Sequence, residues 1–205
     1  MTRRLARVIF ERVIARKREY CVYRSETVSS FDEGGEQIAV YDRAQPPSAQ
    51  VSDAYRAHMG RRSRWLMFRR LRRGQAVLLV LQKNDRLAGI GWIQHWRPLR
   101  HEFWWLEDNG VALGPFWTSP ALRGQGIYGR LLAKAAEEAR QRGWKPLSIW
   151  AESSNTPSIR GIEKAGFKSL GTHRVHTYLL GLIRRHYVVS EASERPTISA
   201  FGSSA

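Results

Sequence analysis

A glycine-rich stretch directly before a helical pattern constrains this chain more than any other feature of its sequence. The stretch reads RGQGIYG, residues 123–129. Apolar residues then recur at every fourth position from Ile127 to Ala139, and Gly143 stands where a helix would end. The first N–H groups of a helix have no intrahelical acceptor and carry partial positive charge, and glycine lets a ligand approach the backbone closely. The sequence therefore predicts a pyrophosphate-binding loop at a helix N-terminus, unless the glycines only turn the chain.

Two common phosphate-binding folds fit this stretch poorly. Its glycines satisfy the G-x-G-x-x-G fingerprint of dinucleotide-binding enzymes, but that fingerprint follows its strand almost at once. Here residues 119–123 intervene, Pro120 cannot extend a central strand, and too little chain follows for the remaining strands. An NTPase loop ends in Gly-Lys-Ser/Thr, whereas this one continues Gly129-Arg130-Leu131. A different pyrophosphate ligand is therefore expected.

Composition restricts the class of protein further. A chain of 205 residues with 42% apolar residues and 8 Trp can bury a core, so one domain with short extensions is expected. The 34 Lys and Arg against 18 Asp and Glu give a net charge of +16, which attracts nucleic acid, anionic lipid or a phosphorylated small molecule. Cys21 is the single cysteine, which excludes an internal disulfide framework and a cysteine-rich zinc site. No metal is expected.

The sequence divides into three segments. Residues 1–34 are predicted as a basic N-terminal extension with an amphipathic helical pattern, which would pack on the domain or lie on an anionic membrane surface. Residues 35–188 are predicted as the folded domain, and residues 189–205 as a disordered tail. The basic segment 61–74, RRSRWLMFRRLRRG, is either a solvated helix face over a core stripe or a docking surface for an anionic partner.

The absence of a long apolar run and of a secretory signal predicts a cytoplasmic protein, with weak peripheral contact to the inner membrane face as an option.

Within the domain, EQIAVYD is a predicted strand, and residues 48–73 are a predicted helix that is broken near Gly60. QAVLLVLQ and LAGIGWIQHW are predicted to form a hairpin, and FWWLEDNGVALGPFWTS is a third extended run. After the glycine loop, a helix, the strand PLSIWAE, a capped helix from Thr156 to Ala165 and the β-leaning FKSLGTHRVHTYLLGLI follow. This order predicts a mixed α/β (α+β) sheet.

Two motifs resemble the GNAT superfamily of acyl-CoA N-acyltransferases. PALRGQGIYGRLL, residues 120–132, is similar to that family's Arg-x-x-Gly-x-Gly/Ala signature, and SIWAESSNTPSIRGIEKAGFK, residues 148–168, to its strand, asparagine and short-helix segment. The predicted hairpin, residues 75–96, sits where the family has its second and third strands. The resemblance covers roughly residues 37–183. It implies a mostly antiparallel central sheet, splayed at the CoA site and flanked by helices, and an acetyl-CoA-dependent N-acetyltransferase.

The resemblance also implies where acetyl-CoA binds. The loop backbone would hold the pyrophosphate, the strand end before it would pair with the pantetheine arm, and an asparagine would contact the pantetheine chain unless it is an ordinary turn residue. The implied CoA-binding residues are Phe116, Trp117, Thr118, Arg123, Gly124, Gln125, Gly126, Ile127, Tyr128 and Asn155. Two positions depart from the family pattern. Tyr128 stands where the signature prefers Gly or Ala, and Ile162 stands where the family often has a tyrosine that protonates the leaving thiolate.

The implied reaction is direct attack of a neutral amine on the thioester in a ternary complex, with backbone N–H groups stabilising the oxyanion. A base must take a proton from the ammonium. Glu107 and Asp108 are the first candidates and Glu152 is another, although each could be a plain surface group. Tyr178 is a candidate for protonating the thiolate. Histidines could serve instead, although no pair has the spacing of a metal site, and these are His95, His101, His173 and His176.

The acceptor is the least constrained part of the prediction. Trp92, Trp96, Trp104 and Trp105 fall in the region that would line the acceptor side, or they fill the core. With the arginine excess they favour an anionic acceptor such as a nucleotide-linked amino sugar, while a protein amine, a polyamine or an antibiotic stays open. The competing hypothesis is a catalytically silent GNAT-like module that binds anionic membrane or, less favoured, nucleic acid, with steep salt dependence and no CoA affinity. A monomer and a homodimer are both compatible with the sequence.

Overall fold

A computed structural model describes residues 15–25, 37–84, 86–95, 110–178, 183–190 and 197–202. The chain divides into two compact units. The terminal unit comprises residues 1–24, 150–160 and 168–205, and the central unit comprises residues 25–149 and 161–167. The strands are β1 (Ala15–Ser25), β2 (Ile38–Tyr41), β3 (Ala76–Lys83), β4 (Arg86–His95), β5 (Val111–Leu113), β6 (Trp117–Thr118), β7 (Leu147–Glu152), β8 (Lys168–Tyr178), β9 (Ile183–Ser190) and β10 (Thr197–Gly202). The helices are α1 (Ala49–Arg72), α2 (Ile127–Gln141) and α3 (Thr156–Lys164), and a 3₁₀ turn spans Pro120–Leu122.

The sheet of the central unit is mixed and mostly antiparallel, which confirms the predicted fold class. β2, β3 and β4 are antiparallel neighbours, and β3 and β4 form the predicted hairpin. β5 pairs antiparallel with β4 and parallel with the first residues of β7, while β6 pairs with β4. The last residues of β7 belong to the terminal unit.

Different helices cover the two faces of the central sheet. Ile90 and Trp92 of β4 pack in one core with α1, whose buried members are Val51, Tyr55, Met67 and Leu71. Because successive strand residues point to opposite faces, Gly89 and Gly91 lie on the other side. There they face α2, which buries the apolar stripe predicted from the sequence, namely Ile127, Leu131, Ala135 and Ala139.

Helix α1 begins at Ser48, whose hydroxyl accepts a hydrogen bond from the Val51 N–H at 3.3 Å. Gly60 interrupts it with φ 85° and ψ 166°, so the predicted break is confirmed. Within the basic segment, Met67 and Leu71 are buried, which is the helix-over-core arrangement predicted for residues 61–74. Among the described residues, no helix combines the length and the apolar character that crossing a lipid bilayer requires.

The terminal unit contains a strand that the sequence patterns do not predict. β1 pairs antiparallel with β8, from Ala15 opposite Tyr178 to Arg24 opposite Lys168, and neighbours the end of β7. β9 continues the sheet beside β8, and β10 pairs with β9 inside the segment whose composition predicts a tail. The helical pattern predicted for the first residues of the chain lies outside the described residues.

Candidate functional site

The glycine loop of the central unit has a backbone that favours glycine. Gly124 and Gly126 adopt left-handed conformations with φ of +80° and +74°, which side chains with a Cβ rarely adopt. A Cβ placed on either residue would meet no atom within 4 Å, and both residues are exposed. The two glycines therefore face open space rather than a packed neighbour, so they leave room for a ligand directly against the backbone.

Gly126 is also the N-cap of α2. The first intrahelical bond of this helix runs from the Arg130 N–H to the Gly126 carbonyl at 3.1 Å. Within the described residues, no side chain caps this helix terminus, and the guanidinium-bearing Arg123 just before the glycines is exposed. Partial positive charge at a helix N-terminus and one neighbouring cation together favour an anion. The loop can therefore bind a phosphate or pyrophosphate group.

Tyr128 does not occupy the open side of the loop. Its half-buried ring packs edge-on against Phe116, with centroids 5.4 Å apart and an interplanar angle of 82°. On another side it lies against Gly161 of α3, where an added Cβ would come within 2.6 Å of the ring. The tyrosine that departs from the family signature is therefore a packing residue between Phe116 and Gly161, and it leaves the glycine side of the loop clear.

The extended run before the glycine loop is divided into β5 and β6, and of these two described strands only β5 pairs with β7. β5 pairs with β7 at Val111 opposite Leu147 and at Ala112 opposite Ser148. Residues 114–116 then lie opposite only two residues of β4, 91 and 92, so the chain bulges before β6 resumes pairing with β4. In the described part of the chain, β4 is the strand partner of β6, and β6 has none on the β7 side. This leaves an open strand edge that can pair with an extended ligand.

Hydrogen bonds fix the bulge. The Gly114 N–H donates to the Trp92 carbonyl at 2.7 Å, and the Gln94 side-chain amide donates to the Gly114 carbonyl at 2.5 Å. The Ser119 N–H donates to the Ala88 carbonyl at 2.9 Å beyond β6. The open edge is thus held by β4 on both sides of the bulge.

Two glycines of β4 that the sequence reasoning missed make this arrangement possible. A Cβ at Gly89 would come within 2.8 Å of side-chain atoms of Ile127 and Leu131, and a Cβ at Gly91 would come within 2.6 Å of the Phe116 ring. Their spacing in GIGW was the available signal, because glycines at alternate strand positions lie on one face and often mark a close approach. They let α2 and the bulge pack directly on the sheet.

Asn155 lies in the terminal unit, in the turn between β7 and α3. Its N–H donates to the Glu152 carbonyl at 2.7 Å, and its side-chain oxygen accepts from the Ser158 N–H at 3.3 Å. This side chain therefore caps α3, which is the structural role that the sequence left open for it. The same turn carries Ser153 and Ser154.

The terminal unit also contains a cleft of about 720 Å³. Ten residues from β1, the turn after β7, β8 and β9 line it: Lys17, Arg18, Glu19, Glu152, Ser153, Ser154, Arg174, His176, Tyr187 and Val189. Two ion pairs cross it, from Arg18 to Glu152 at 3.8 Å and from Arg174 to Glu19 in direct hydrogen-bond contact. Glu152 and His176, two of the residues considered for proton transfer, thus share one cleft.

His176 and Tyr178 lie side by side on β8, with the His176 Nδ1 3.3 Å from the Tyr178 hydroxyl. Burial lowers the pKa of His176, and the nearby charges of Lys17 and Arg174 lower it further. The imidazole is therefore neutral near pH 7 and can accept or donate a hydrogen bond. Arg185 lies 6.0 Å from the centre of the Tyr178 ring.

The other site residues proposed from the sequence lie outside this cleft or outside the described residues. Trp92 is 1% exposed and fills the core rather than lining an acceptor surface. His95 packs on Trp144 with centroids 4.5 Å apart. His173 is buried with its Nε2 3.0 Å from Nδ1 of His186. The remaining candidates lie outside the described residues, and these are Glu107, Asp108, His101, Trp96, Trp104 and Trp105.

Ile162 at the position of the family tyrosine is fully buried and has no proton to give. In the described part of the chain, no three His, Cys, Asp or Glu side chains come together in a way that could hold a metal ion. Within the described terminal unit, Glu152 and His176 line one cleft and Tyr178 lies beside His176, so these three residues stay candidates for proton transfer.

This chain matches the model of a known protein family. The model of the acetyltransferase (GNAT) family matches residues 39–167. A mycothiol acetyltransferase of Brachybacterium faecium is 26% identical over 94 residues, which is 46% of this chain and 27% of that relative. This chain therefore spans about a quarter of that curated relative.

Solved structures show the same fold. An acetyltransferase of the GNAT family from Colwellia psychrerythraea superimposes with a TM-score of 0.56 at 19% identity, over 84% of this chain and 60% of that chain. AAC(6')-Iy in complex with the bisubstrate analogue CoA-S-monomethyl-acetylneamine superimposes with a TM-score of 0.50 at 12% identity, over 64% of this chain and 91% of that chain. At such identities these likenesses concern the fold.

Proposed function

Because the chain belongs to the GNAT family of acetyltransferases, we propose that it transfers an acetyl group from acetyl-CoA to a primary amine of a small acceptor. The observation that carries the proposal is the combination, in one unit, of an exposed left-handed glycine loop at the N-terminus of α2 with the open edge of β6. The loop fits a pyrophosphate and the edge fits an extended amide chain. Acetyl-CoA contains both groups.

The loop supplies the anion site in this proposal. Backbone N–H groups of residues 124–128 and the Arg123 guanidinium would hold the pyrophosphate, with Gly124 and Gly126 allowing close approach. Gln125 is exposed beside them, whereas Ile127 is buried and contributes its backbone only. Tyr128 acts indirectly, because its ring holds the first turn of α2 against Phe116 and Gly161.

The edge of β6 would bind the pantetheine arm by strand-like pairing. Trp117 and Thr118 offer backbone N–H and C=O groups there, and Phe116 lies at the bulge that opens the edge. A backbone N–H at the same edge would stabilise the oxyanion that forms when the thioester carbonyl is attacked. The family resemblance assigns Asn155 to the pantetheine chain, and its side chain keeps hydrogen-bonding capacity beyond its capping bond.

The proposed chemistry is direct transfer in a ternary complex. The amine nitrogen gives its lone pair to the carbonyl carbon, the C–S bond breaks, and the CoA thiolate leaves with that electron pair. The amine proton passes to a base, and a second proton neutralises the thiolate. Glu152 is the base candidate within the described residues, with Glu107 and Asp108 as further candidates. Tyr178, hydrogen-bonded to neutral His176, is the candidate for the acid, a role that the apolar side chain of Ile162 cannot serve.

An amino sugar, free or nucleotide-linked, is the acceptor class that we propose. The excess of Lys and Arg favours an anionic acceptor. The ligand of AAC(6')-Iy in the fold comparison joins CoA to an acetylneamine, so this fold accommodates an amino sugar beside CoA in that protein.

Ligand-induced stabilisation and thiol release test this function. Acetyl-CoA and CoA should raise the melting temperature in proportion to the logarithm of their concentration above Kd. Thiol release from acetyl-CoA should then depend on one class in a panel of amino sugars, amino acids, polyamines and peptides. If neither acetyl-CoA nor CoA stabilises the protein, the catalytically silent module becomes the better hypothesis.

A second candidate function, peripheral contact with an anionic membrane, is favoured by one observation on α1. Trp65 is 54% exposed, and the Arg69 guanidinium lies 5.2 Å above its ring. Further arginines of the basic segment are exposed beside it, namely Arg61, Arg62, Arg72 and Arg73. An exposed tryptophan among arginines is the composition that binds the interface of anionic bilayers. This contact is compatible with acetyl transfer.

A further inference from the structure

His58 lies beside the open edge of β6. It belongs to α1, shortly before the break of that helix at Gly60. Its ring packs on the indole of Trp117, with ring centroids 5.2 Å apart and an interplanar angle of 40°. Trp117 is one of the two residues of β6, the strand that is proposed to pair with the pantetheine arm. The contact lies wholly in the central unit, which also contains the glycine loop.

The indole of Trp117 shows which face of the sheet His58 occupies. Trp117 is paired with Ile90 of β4, and residues directly opposite each other on neighbouring strands point to the same face. Ile90 packs in one core with α1, and Trp117 packs against that core. Thr118 is opposite Gly89 and therefore points to the α2 face. His58 thus stands on the α1 face of the open edge, and the first turn of α2 lies on the other face.

The α1 face has room for an acceptor at this place. His58 is exposed although its ring is held on Trp117. Gly60 is also exposed, and a Cβ added there would meet no atom within 4 Å. On the α2 face, by contrast, the Phe116 ring and the Ile127 side chain pack directly on the glycines of β4. An amine that approaches a thioester bound along the edge would therefore find space on the His58 side.

The order of the chain sets the direction of the donor along this edge. β6 ends at Thr118, and the glycine loop, residues 123–129, follows it. With its pyrophosphate at the loop, the pantetheine arm would run back along β6, past Thr118 and then past Trp117, toward the bulge. Its thioester end would therefore come to the part of the edge beside which His58 stands.

We propose that His58 is the base of the transfer reaction and accepts the proton of the attacking amine directly or through one water. The proposal rests on the acetyltransferase function proposed above. The amine nitrogen forms the C–N bond with the carbonyl carbon, the C–S bond breaks, and its electron pair leaves with the CoA thiolate. The proton on nitrogen passes to the imidazole and from there to solvent, and the thiolate takes up a second proton. Histidine is the side chain that most often performs this kind of proton transfer.

His58 differs from the other candidates in the unit to which it belongs. Glu152 and Tyr178 are part of the terminal unit, whereas His58 shares its unit with the glycine loop and the edge of β6. His95, the other histidine in the described part of the central unit, packs on Trp144. His58 is therefore a base candidate whose contact with the proposed donor strand lies within one unit.

Three substitutions separate proton transfer from packing. His58→Ala removes both the ring and the base, whereas His58→Phe keeps an aromatic ring for Trp117 without a nitrogen. Arg56→Ala is the matched control, because Arg56 is exposed on the same helix and residues two positions apart on a helix do not face the same side. Thiol release is measured with the most reactive amine from a panel of amino sugars, amino acids, polyamines and peptides.

Both His58 variants should lose at least about 100-fold in kcat, the contribution typical of a general base. Their Kd for CoA, measured by titration calorimetry, should stay at the wild-type value and shows that they are folded. Imidazole in solution should restore activity to His58→Ala in proportion to its concentration, beyond the rate without protein. Arg56→Ala should keep its activity and not respond to imidazole.

The possible failures are distinguishable. An active His58→Phe, or a His58→Ala that imidazole does not restore, would overturn the base assignment and leave the acetyltransferase function standing. The same holds if Glu152→Gln abolishes transfer and His58→Ala does not. If acetyl-CoA does not bind, or binds while no amine releases thiol, the acetyltransferase function fails and the base assignment fails with it.

Discussion

The ring of Tyr128 lies directly on the backbone of Gly161, so that a Cβ at Gly161 would come within 2.6 Å of Cε1 and 2.8 Å of Cδ1. Real Cβ atoms essentially never approach another atom so closely. The first turn of α2, which carries the glycine loop, and the middle of α3 are therefore in contact because residue 161 has no side chain. The second family motif, residues 148–168, thus packs through Gly161 against Tyr128 of the first motif, residues 120–132.

Replacing Gly161 by alanine tests this contact. Gly161 has helical backbone, where alanine is intrinsically favoured over glycine by about 1 kcal/mol. In the wild-type background the added methyl group should overpack against Tyr128 and lower the free energy of unfolding by about 1–3 kcal/mol. In a Tyr128→Ala background the same substitution should instead be neutral or stabilising. Urea unfolding of the four proteins gives the coupling energy, and an equal effect of Gly161→Ala in both backgrounds would show that the ring is not the obstacle.

Gly126 and Gly143 form a matched pair for testing the loop. They stand at opposite ends of α2 with φ of +74° and +72°, and a Cβ at either would meet no atom within 4 Å. Alanine at each should cost a similar backbone strain of about 1–2 kcal/mol in unfolding free energy. Only Gly126→Ala should also weaken CoA binding, by about tenfold, because its methyl group would stand where the pyrophosphate is proposed to bind. Calorimetric titration with CoA measures this, and equal CoA affinities of the two variants would remove the loop from the proposed site.

Local patterns were sufficient for the elements around the loop. The four-residue recurrence from Ile127 to Ala139, the break at Gly60 and the hairpin of β3 and β4 are all set by residues close in sequence. β1 has no such signal. Its sequence, ARKREYCVYRS, is basic at its start, and the strand is stabilised by pairing with β8, which is far away along the chain. Long-range pairing of this kind leaves little trace in one short segment.

The candidate site shows the same limit. The loop and its helix could be predicted as an anion site from glycine spacing alone. The contacts of Gly91 with Phe116 and of Gly161 with Tyr128 depend on which segments become neighbours in the fold. The cleft around Glu152 and His176 is lined from four separated segments, so no motif contains it. Sequence reasoning could propose both residues individually, but not that they share a cavity.

The buried pair His173 and His186 predicts a loss of stability in acid. Burial, together with the charge of His186, lowers the pKa of His173 from 6.5 to about 4. Between these values the unfolded chain binds a proton that the folded chain does not, so the free energy of unfolding falls as pH decreases from 6.5 to about 4. The full contribution is about 3 kcal/mol at most. It is present above pH 6.5 and lost by about pH 4.

Unfolding measured across this pH range for the wild type and for His173→Gln checks the assignment. Glutamine can donate a hydrogen bond to His186 Nδ1 but does not titrate. The difference in unfolding free energy between the two proteins should therefore change by up to about 3 kcal/mol from neutral to acid pH, in favour of the variant. A difference that is constant with pH would mean that His173 is not the group responsible.

Trp65 and Arg69 predict binding to anionic bilayers. Vesicles with anionic lipid should bind the protein, neutral vesicles should not, and the binding should weaken as salt increases, because the proposed attraction is electrostatic. Arg69→Gln should weaken binding by about fivefold, the effect of about 1 kcal/mol per basic residue near such a surface, and Trp65→Ala should weaken it at least as much by removing the interfacial ring. Arg140→Gln, an exposed arginine of α2 outside the basic segment, is the control for net charge and should bind like the wild type. Vesicle co-sedimentation measures all of these. Equal losses of vesicle affinity for Arg69→Gln and Arg140→Gln would mean that the binding depends only on the overall charge of +16. Binding to single-stranded nucleic acid but not to vesicles would identify a different partner for the same arginines.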